Sequence, residues 1–324
     1  MKAALVKTHG TPDSIVIEEI PSPSPKKGEV RLRLRACGVN FPDVLMVAGK
    51  YQVQPEMPFS PGAEMAGEII ELGEGVSDLA IGDRMLCMVG YGGMAEEICV
   101  PAKALVPIPD GMDFSTAAAV MLTYGTSYHA LKQRAQIKPG ETLLVLGAAG
   151  GVGLAAVELG HLLGAKVIAA ASSDEKLALA REYGADETIN YSEVKLKDAV
   201  KALTGGKGAD VIYDPVGGEL FDDCLRSLAW CGRLLVIGFA SGTIPKAPAN
   251  LPLLKGSSIV GVFWGAFTQH QPKEHEINMQ ELVAWFIGGQ LKPHIGTVFG
   301  LDDAAAAMNV LASRQAMGKV VIEI

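Results

Sequence analysis

The chain has 324 residues, of which 49% are hydrophobic and 20% charged, and it carries a formal net charge of −8 at pH 7. That length exceeds the usual single core, so two domains are expected, and the composition is that of an ordinary globular protein. The acidic balance leaves no general basic field for a phosphate polyanion and argues against nucleic acid as the main partner. The opening MKAALVKTHGTPDS turns polar before a secretory core forms, and the uncharged run 142–157 is broken by glycines and stops short of the roughly 20 apolar residues of a membrane span. Five scattered cysteines (Cys37, Cys87, Cys99, Cys224, Cys231) cannot form a disulfide framework, and a reduced cytoplasm is the expected setting.

In chain order, the first third reads as β-rich. Residues 1–7 and 15–19 are expected to pair around a Thr-Pro-Asp turn, and the proline-rich 21–29 leads into a strand at 30–35. There Val30, Leu32 and Leu34 face one way and the arginines the other. Further strands are expected at 66–72, after Gly82-Asp83-Arg84, and at 95–100, which together suggest a partly closed antiparallel barrel. From Ser115 the texture changes. Residues 115–132 read as one or two helices, with Thr123-Tyr124-Gly125-Thr126 as the candidate break between them. Strands then follow at 142–146, 166–170, 187–189, 210–213, 233–237 and 258–263, with helices at 151–163, 174–183, 193–203 and 219–230 between them. Six strands with crossover helices predict a doubly wound parallel sheet. Helices at 276–288 and 302–312 and a last strand at 319–324 complete the chain. The expected division is 1–121 with 267–324 for one domain and 122–266 for the other.

The stretch Thr142 to Gly153, TLLVLGAAGGVG, runs an apolar strand into a turn almost free of side chains and then into a helix. Backbone can approach a pyrophosphate there, and the first helical N–H groups and the positive end of the helix dipole favour an anion. Ala148 stands where the first glycine of G-x-G-x-x-G would be, while Gly150 and Gly153 keep the spacing for phosphate approach and helix packing.

With ACGVNFPD (36–43), PGAEMAGEI (61–69), TYGTSYHAL (123–131), AAGGVG (148–153), GAD-x-x-INY ending at Tyr191 and GKVVI near the end, the chain resembles the zinc-independent quinone oxidoreductases (zeta-crystallin-like) of the medium-chain dehydrogenase/reductase family. The resemblance implies a Rossmann domain beside a GroES-like catalytic domain, with the acceptor in a cleft between them. Two positions depart from the family pattern, Glu158 and His161, both on the helix after the glycine turn. A catalytic zinc needs three protein ligands. Here Cys37 stands at the usual first cysteine, but Gly62-Ala63-Glu64 lacks the ligand histidine, so no metal is expected.

An NAD-specific site needs a carboxylate at the tip of the second strand. That strand ends Ala-Ala-Ser-Ser, and Asp174 and Glu175 read as first-turn helix residues behind an N-cap Ser173. By resemblance Ser173, Lys176 and Tyr191 would hold the 2′-phosphate of NADPH. Gly150, Gly151, Val152 and Gly153 would hold the pyrophosphate. Thr123, Val216, Gly217, Phe239, Ala240, Phe263 and Trp264 would lie toward the nicotinamide, and Lys319 would approach the phosphate side or the cleft.

Without a Lewis acid, an already electron-poor acceptor such as a quinone or activated alkene is expected, with Asn40 and Tyr51 as donors to its developing oxyanion. The alternatives are an enal, enone or enoyl-thioester reductase, and an NADPH-binding structural or regulatory protein. The apolar strand at 258–263 predicts a homodimer through the sheet edge.

Overall fold

The structure, a computed structural model, describes all 324 residues. It contains two compact units, Met1–Leu122 with Pro293–Ile324 and Thr123–Lys292.

The first unit is built around the strand Glu29–Val39. Its alternation does what a half-buried strand requires: Val30, Leu32 and Leu34 are buried, while Arg31 pairs with Glu71 at 2.7 Å and Arg35 with Glu68 at 2.8 Å. One edge of this strand pairs along Glu64–Leu72. The other is shared, Glu97–Pro101 taking its first half and Lys319–Glu323 its second, all antiparallel. Arg84–Met88 and Leu105–Pro107 extend the sheet on one side and Ile295–Gly300 on the other, the last parallel to Lys319–Glu323. The sheet is mixed and does not close into a barrel. A separate hairpin joins Lys2–Leu5 to Val16–Glu19. Cys37, Val39, Met46, Val47, Val320 and Ile322 meet in the core of this unit.

The second unit is the expected doubly wound sheet. Its six parallel strands run in the spatial order Glu187–Asn190, Lys166–Ala171, Thr142–Leu146, Ala209–Asp214, Leu228–Val236, Ser258–Gly261. This order places a topological switch point between Thr142–Leu146 and Ala209–Asp214, where loops from opposite halves diverge and leave a crevice at the strands' carboxyl ends. Leu144, Leu146, Ile168 and Ile212 are fully buried there against the helical residues Phe221 and Leu225.

Several elements differ from the sequence reading. The helix Met121–His129 runs through Thr-Tyr-Gly-Thr without a break, and Gly125 within it makes room for a ring: a Cβ there would lie 2.6 Å from Trp264. The helix Leu220–Ser227 stops early, and the next strand already begins at Leu228. Left-handed Cys231 bulges that strand, pushing Trp230 and Cys231 to the surface before pairing resumes at Arg233. Helices Asn250–Lys255 and Trp264–His270 were not foreseen, since prolines and glycines mask their short periodicity.

The second unit runs on to Lys292. The helix Pro272–Ile287 stays with the nucleotide-type sheet because Trp285 and Phe286 pack edge-on against Tyr128 and Tyr124, and Tyr128 donates to Glu281 at 2.7 Å. No helix is long and apolar enough to cross a membrane.

Candidate functional site

In the second unit the helix Gly151–Leu162 starts directly at the switch point, with Gly150 as an N-cap that offers no side chain. Its first N–H groups therefore have no intrahelical partner and no side-chain cap. The two key glycines act differently. A Cβ on Gly153 would sit 2.1 Å from the Gly147 carbonyl oxygen, so only glycine lets the helix close onto the strand. A Cβ on Gly150 would meet only that same oxygen, at 3.5 Å, and otherwise points into open space. Ser127 holds this corner in place by donating to the Val152 carbonyl at 2.9 Å, its hydroxyl also lying 2.8 Å from that of buried Tyr213.

At the end of the second strand, Ala171 carries no carboxylate. Ser173 caps the helix Asp174–Glu182, its Oγ 3.5 Å from the Lys176 N–H, and Tyr191 N–H donates to the Ala171 carbonyl at 3.1 Å. Ser173, Lys176 and Tyr191 are thus brought to one corner. Asp174 is turned to Asn190, whose amide donates to it at 3.0 Å.

Val216, Gly217, Phe239 and Ala240 form a second group, in the loops after the fourth and fifth strands. A Cβ on Gly217 would come 3.0 Å from the Phe239 ring, and Ala240 N–H donates to the Pro215 carbonyl at 3.0 Å. Thr123 is buried at the start of its helix, and Phe263 is 60% exposed. Trp264 belongs to the core: it fills the space over Gly125, stacks edge-on against His275 and is only 5% exposed.

In the first unit a buried polar cluster joins residues far apart in sequence. Lys319 Nζ donates to Glu64 at 2.9 Å and to the Asn40 side-chain oxygen at 2.7 Å. The Asn40 amide in turn donates to Glu64 at 3.1 Å and to the Gly38 carbonyl at 3.2 Å, and the second Glu64 oxygen accepts from Leu122 N–H at 3.0 Å. Both amide hydrogens of Asn40 are engaged within the cluster, so Asn40 organises it. Lys319 is likewise an ion-pair partner within the cluster. Tyr51 is half-buried on the rim of this core. Burial, and then the nearby Asp43, push its hydroxyl above its ordinary range, which keeps it a donor.

Asp43 was not singled out in the sequence. It is fully buried, and one oxygen accepts from Asn40 N–H at 2.8 Å while the other has no partner. Burial raises its carboxyl from 3.8 to about 7; Glu64 adds to the rise and Lys319 opposes it. The folded chain therefore holds a proton that the unfolded chain has lost. The resulting stability is complete below the unfolded value near 4 and is lost as pH rises through about 7. Urea unfolding should show a loss on the order of 1 kcal/mol between about pH 6 and pH 8, and Asp43→Asn should flatten that slope. An unchanged slope in the variant would refute the assignment.

Residue 63 is an alanine and offers no imidazole, both Glu64 oxygens are engaged, and no group of three His, Cys, Asp or Glu side chains is placed to hold a metal ion. Burial drives the Cys37 thiol well above its ordinary range, and Gly62 and Gly93 crowd its sulfur.

A family model described as the alcohol dehydrogenase GroES-like domain matches residues 26–110, and one described as a zinc-binding dehydrogenase matches residues 151–283. The chain is 46% identical to the quinone oxidoreductase-like protein 2 homolog of Nematostella vectensis, over 91% of this chain and 81% of that protein. It is 42% identical to quinone oxidoreductase-like protein 2 of Bos taurus, over 96% and 89% respectively. The fold superposes on the crystal structure of Escherichia coli quinone oxidoreductase complexed with NADPH with a TM-score of 0.93, at 28% identity and with complete coverage of both chains.

Proposed function

The chain belongs to the medium-chain dehydrogenase/reductase family, among quinone oxidoreductase relatives, and from that membership we propose that it is an NADPH-dependent, zinc-independent reductase of a quinone or similarly electron-poor acceptor. The observation that carries the reading is the switch-point corner. An uncapped helix start at Gly150 to Gly153 lies beside a strand end that has Ser173, Lys176 and Tyr191 but no carboxylate. Such a corner binds a pyrophosphate and accepts a charged 2′-phosphate, where a strand-tip carboxylate would instead hold a free 2′-hydroxyl.

Bound there, NADPH would supply a hydride. The chain's own part is to orient it: Gly153 sets the close approach, Lys176 offers a cation to the 2′-phosphate, and the Val216–Gly217 turn and the Phe239–Ala240 loop would face the nicotinamide half. Tyr51 would donate a hydrogen bond to the acceptor's carbonyl oxygen as negative charge develops on it. Asn40, Glu64 and Lys319 would hold the surrounding backbone in place. The missing imidazole at Ala63 supports chemistry without zinc; stoichiometric zinc in the purified protein would overturn that part.

The test is an acceptor panel of a quinone, an enal and an enoyl thioester, run with NADPH and with NADH. The quinone with NADPH is expected to give the highest kcat/KM. Lys176→Ala should reduce the preference for NADPH over NADH by about tenfold, through loss of one partly exposed charge-assisted contact. Comparable kcat/KM with both nucleotides in the parent protein would reject the cofactor assignment, and faster turnover of the enal would reject the quinone.

The edge strand Ser258–Gly261 pairs only with Leu228–Val236 and presents its other edge outward, with Ile259 38% exposed. Pairing of two such edges about a two-fold axis would extend the sheet into a homodimer. A monomeric mass at micromolar concentration would rule this out.

A further inference from the structure

We propose that Asp214 is a positioning residue for the nicotinamide half of the dinucleotide site, its carboxylate setting the shape of the turn 215–218 against which that half would lie. The inference rests on the NADPH reading above and extends it to a residue that does not itself touch the cofactor.

Asp214 ends the fourth strand, beside the switch point, and is 2% exposed. No basic side chain pairs with it. Its Oδ1 instead accepts two backbone N–H groups of the turn that follows, from Val216 at 2.9 Å and Gly217 at 2.8 Å. Burial pushes the carboxyl up, and these two bonds pull it back down. An apolar residue here would orphan both donors at once.

The turn so made is stitched on both sides. Ile237 N–H donates to the Asp214 carbonyl at 3.0 Å and Ser241 N–H to that of Val216 at 2.9 Å, while Gly218 N–H donates to Thr243 at 3.1 Å. On the other side a Cβ on Gly147 would lie 3.3 Å from Val216, so the turn also abuts the end of the first strand. Gly217 and Gly218 both take left-handed backbone, with φ of 64°. A doubly wound sheet binds one mononucleotide half on its first three strands and the other on its last three. The Ser173 corner lies on the former and the Asp214 turn on the latter. Loss of the carboxylate should therefore be felt by one half of the ligand only.

Isothermal titration of the full chain with NADPH and with 2′,5′-ADP, which lacks the nicotinamide half, separates the two. In Asp214→Leu, NADPH is expected to bind about 30-fold more weakly and 2′,5′-ADP within about threefold of the parent, whereas Asp214→Asn, which keeps the accepting oxygen, should restore both. A general loosening of the unit would weaken both ligands together, and that result, or no change in either, would overturn the proposal. Should Asp214→Leu fail to fold, Gly217→Ala strains the same turn from outside the buried carboxylate and should give the same split; equal weakening of both ligands there would likewise refute it. If the parent protein binds neither ligand, it is the NADPH reading that fails.

Discussion

Replacing Gly153 with alanine is expected to raise the Kd for NADPH by at least about 100-fold and to lower the thermal stability of the ligand-free protein as well. The added methyl would stand 2.1 Å from the Gly147 oxygen and 2.8 Å from its carbonyl carbon. Both are backbone atoms at the end of a central strand, so neither can swing aside as a flexible side chain would. The helix must lift off the strand, at a cost of about 1–3 kcal/mol typical of overpacking, and its N–H groups then no longer aim at the phosphate position. Gly150→Ala gives the contrast. Its φ of −79° suits any residue, and the new methyl meets only one protein atom within 4 Å, at 3.5 Å. That variant should melt like the parent yet still bind NADPH poorly, because the methyl occupies the ligand's approach. Thermal unfolding without cofactor, beside a fluorescence titration, reads both effects. Normal NADPH affinity in both variants would dismiss the glycine turn as the binding site.

The second large effect is expected at Lys319. Its side chain is 6% exposed and that of its partner Glu64 is 1% exposed. Lys319→Met should destabilise the protein by about 3–5 kcal/mol, since it leaves a carboxylate buried with neutral donors only. Removing both charges, in Lys319→Met with Glu64→Leu, should cost markedly less than the sum of the two single changes, because the uncompensated charge disappears along with its partner. Urea unfolding of the four proteins in the cycle measures the difference. A loss below about 1 kcal/mol in the single variant would mean that solvent reaches Glu64 and that the cluster does not organise this unit.

The site residues divide by how local their information is. Ser173 reads from sequence as an N-cap and acts as one, because capping needs only the residue and the N–H groups within the next turn. The same holds for Gly150 and Gly153, where strand, turn and helix follow one another without interruption. Trp264 shows the opposite case. An aromatic after a predicted strand suits a cofactor wall or a core equally well, and its burial depends on Gly125, which opens a slot for the ring from another helix. Asp43 and Asp214 each leave only a faint trace in the sequence. An acidic residue directly after an apolar strand and before Pro-Val-Gly-Gly had two turn N–H groups to satisfy, and one inside the apolar FPDVLMV could only be buried or capping.

The amino-acid order by itself determined the alternation of Val30, Leu32 and Leu34, the six-strand series with its crossover helices, the glycine turn and the carboxylate-free strand end. Each follows from side-chain period or turn chemistry within a few residues. Only the tertiary structure decided that Asn40, Glu64 and Lys319 form one cluster, across separations of 255 and 279 residues. It also decided that the helix Pro272–Ile287 stays with the dinucleotide sheet. Contacts of that range depend on which strands share an edge and which rings find space, and no local pattern carries that information.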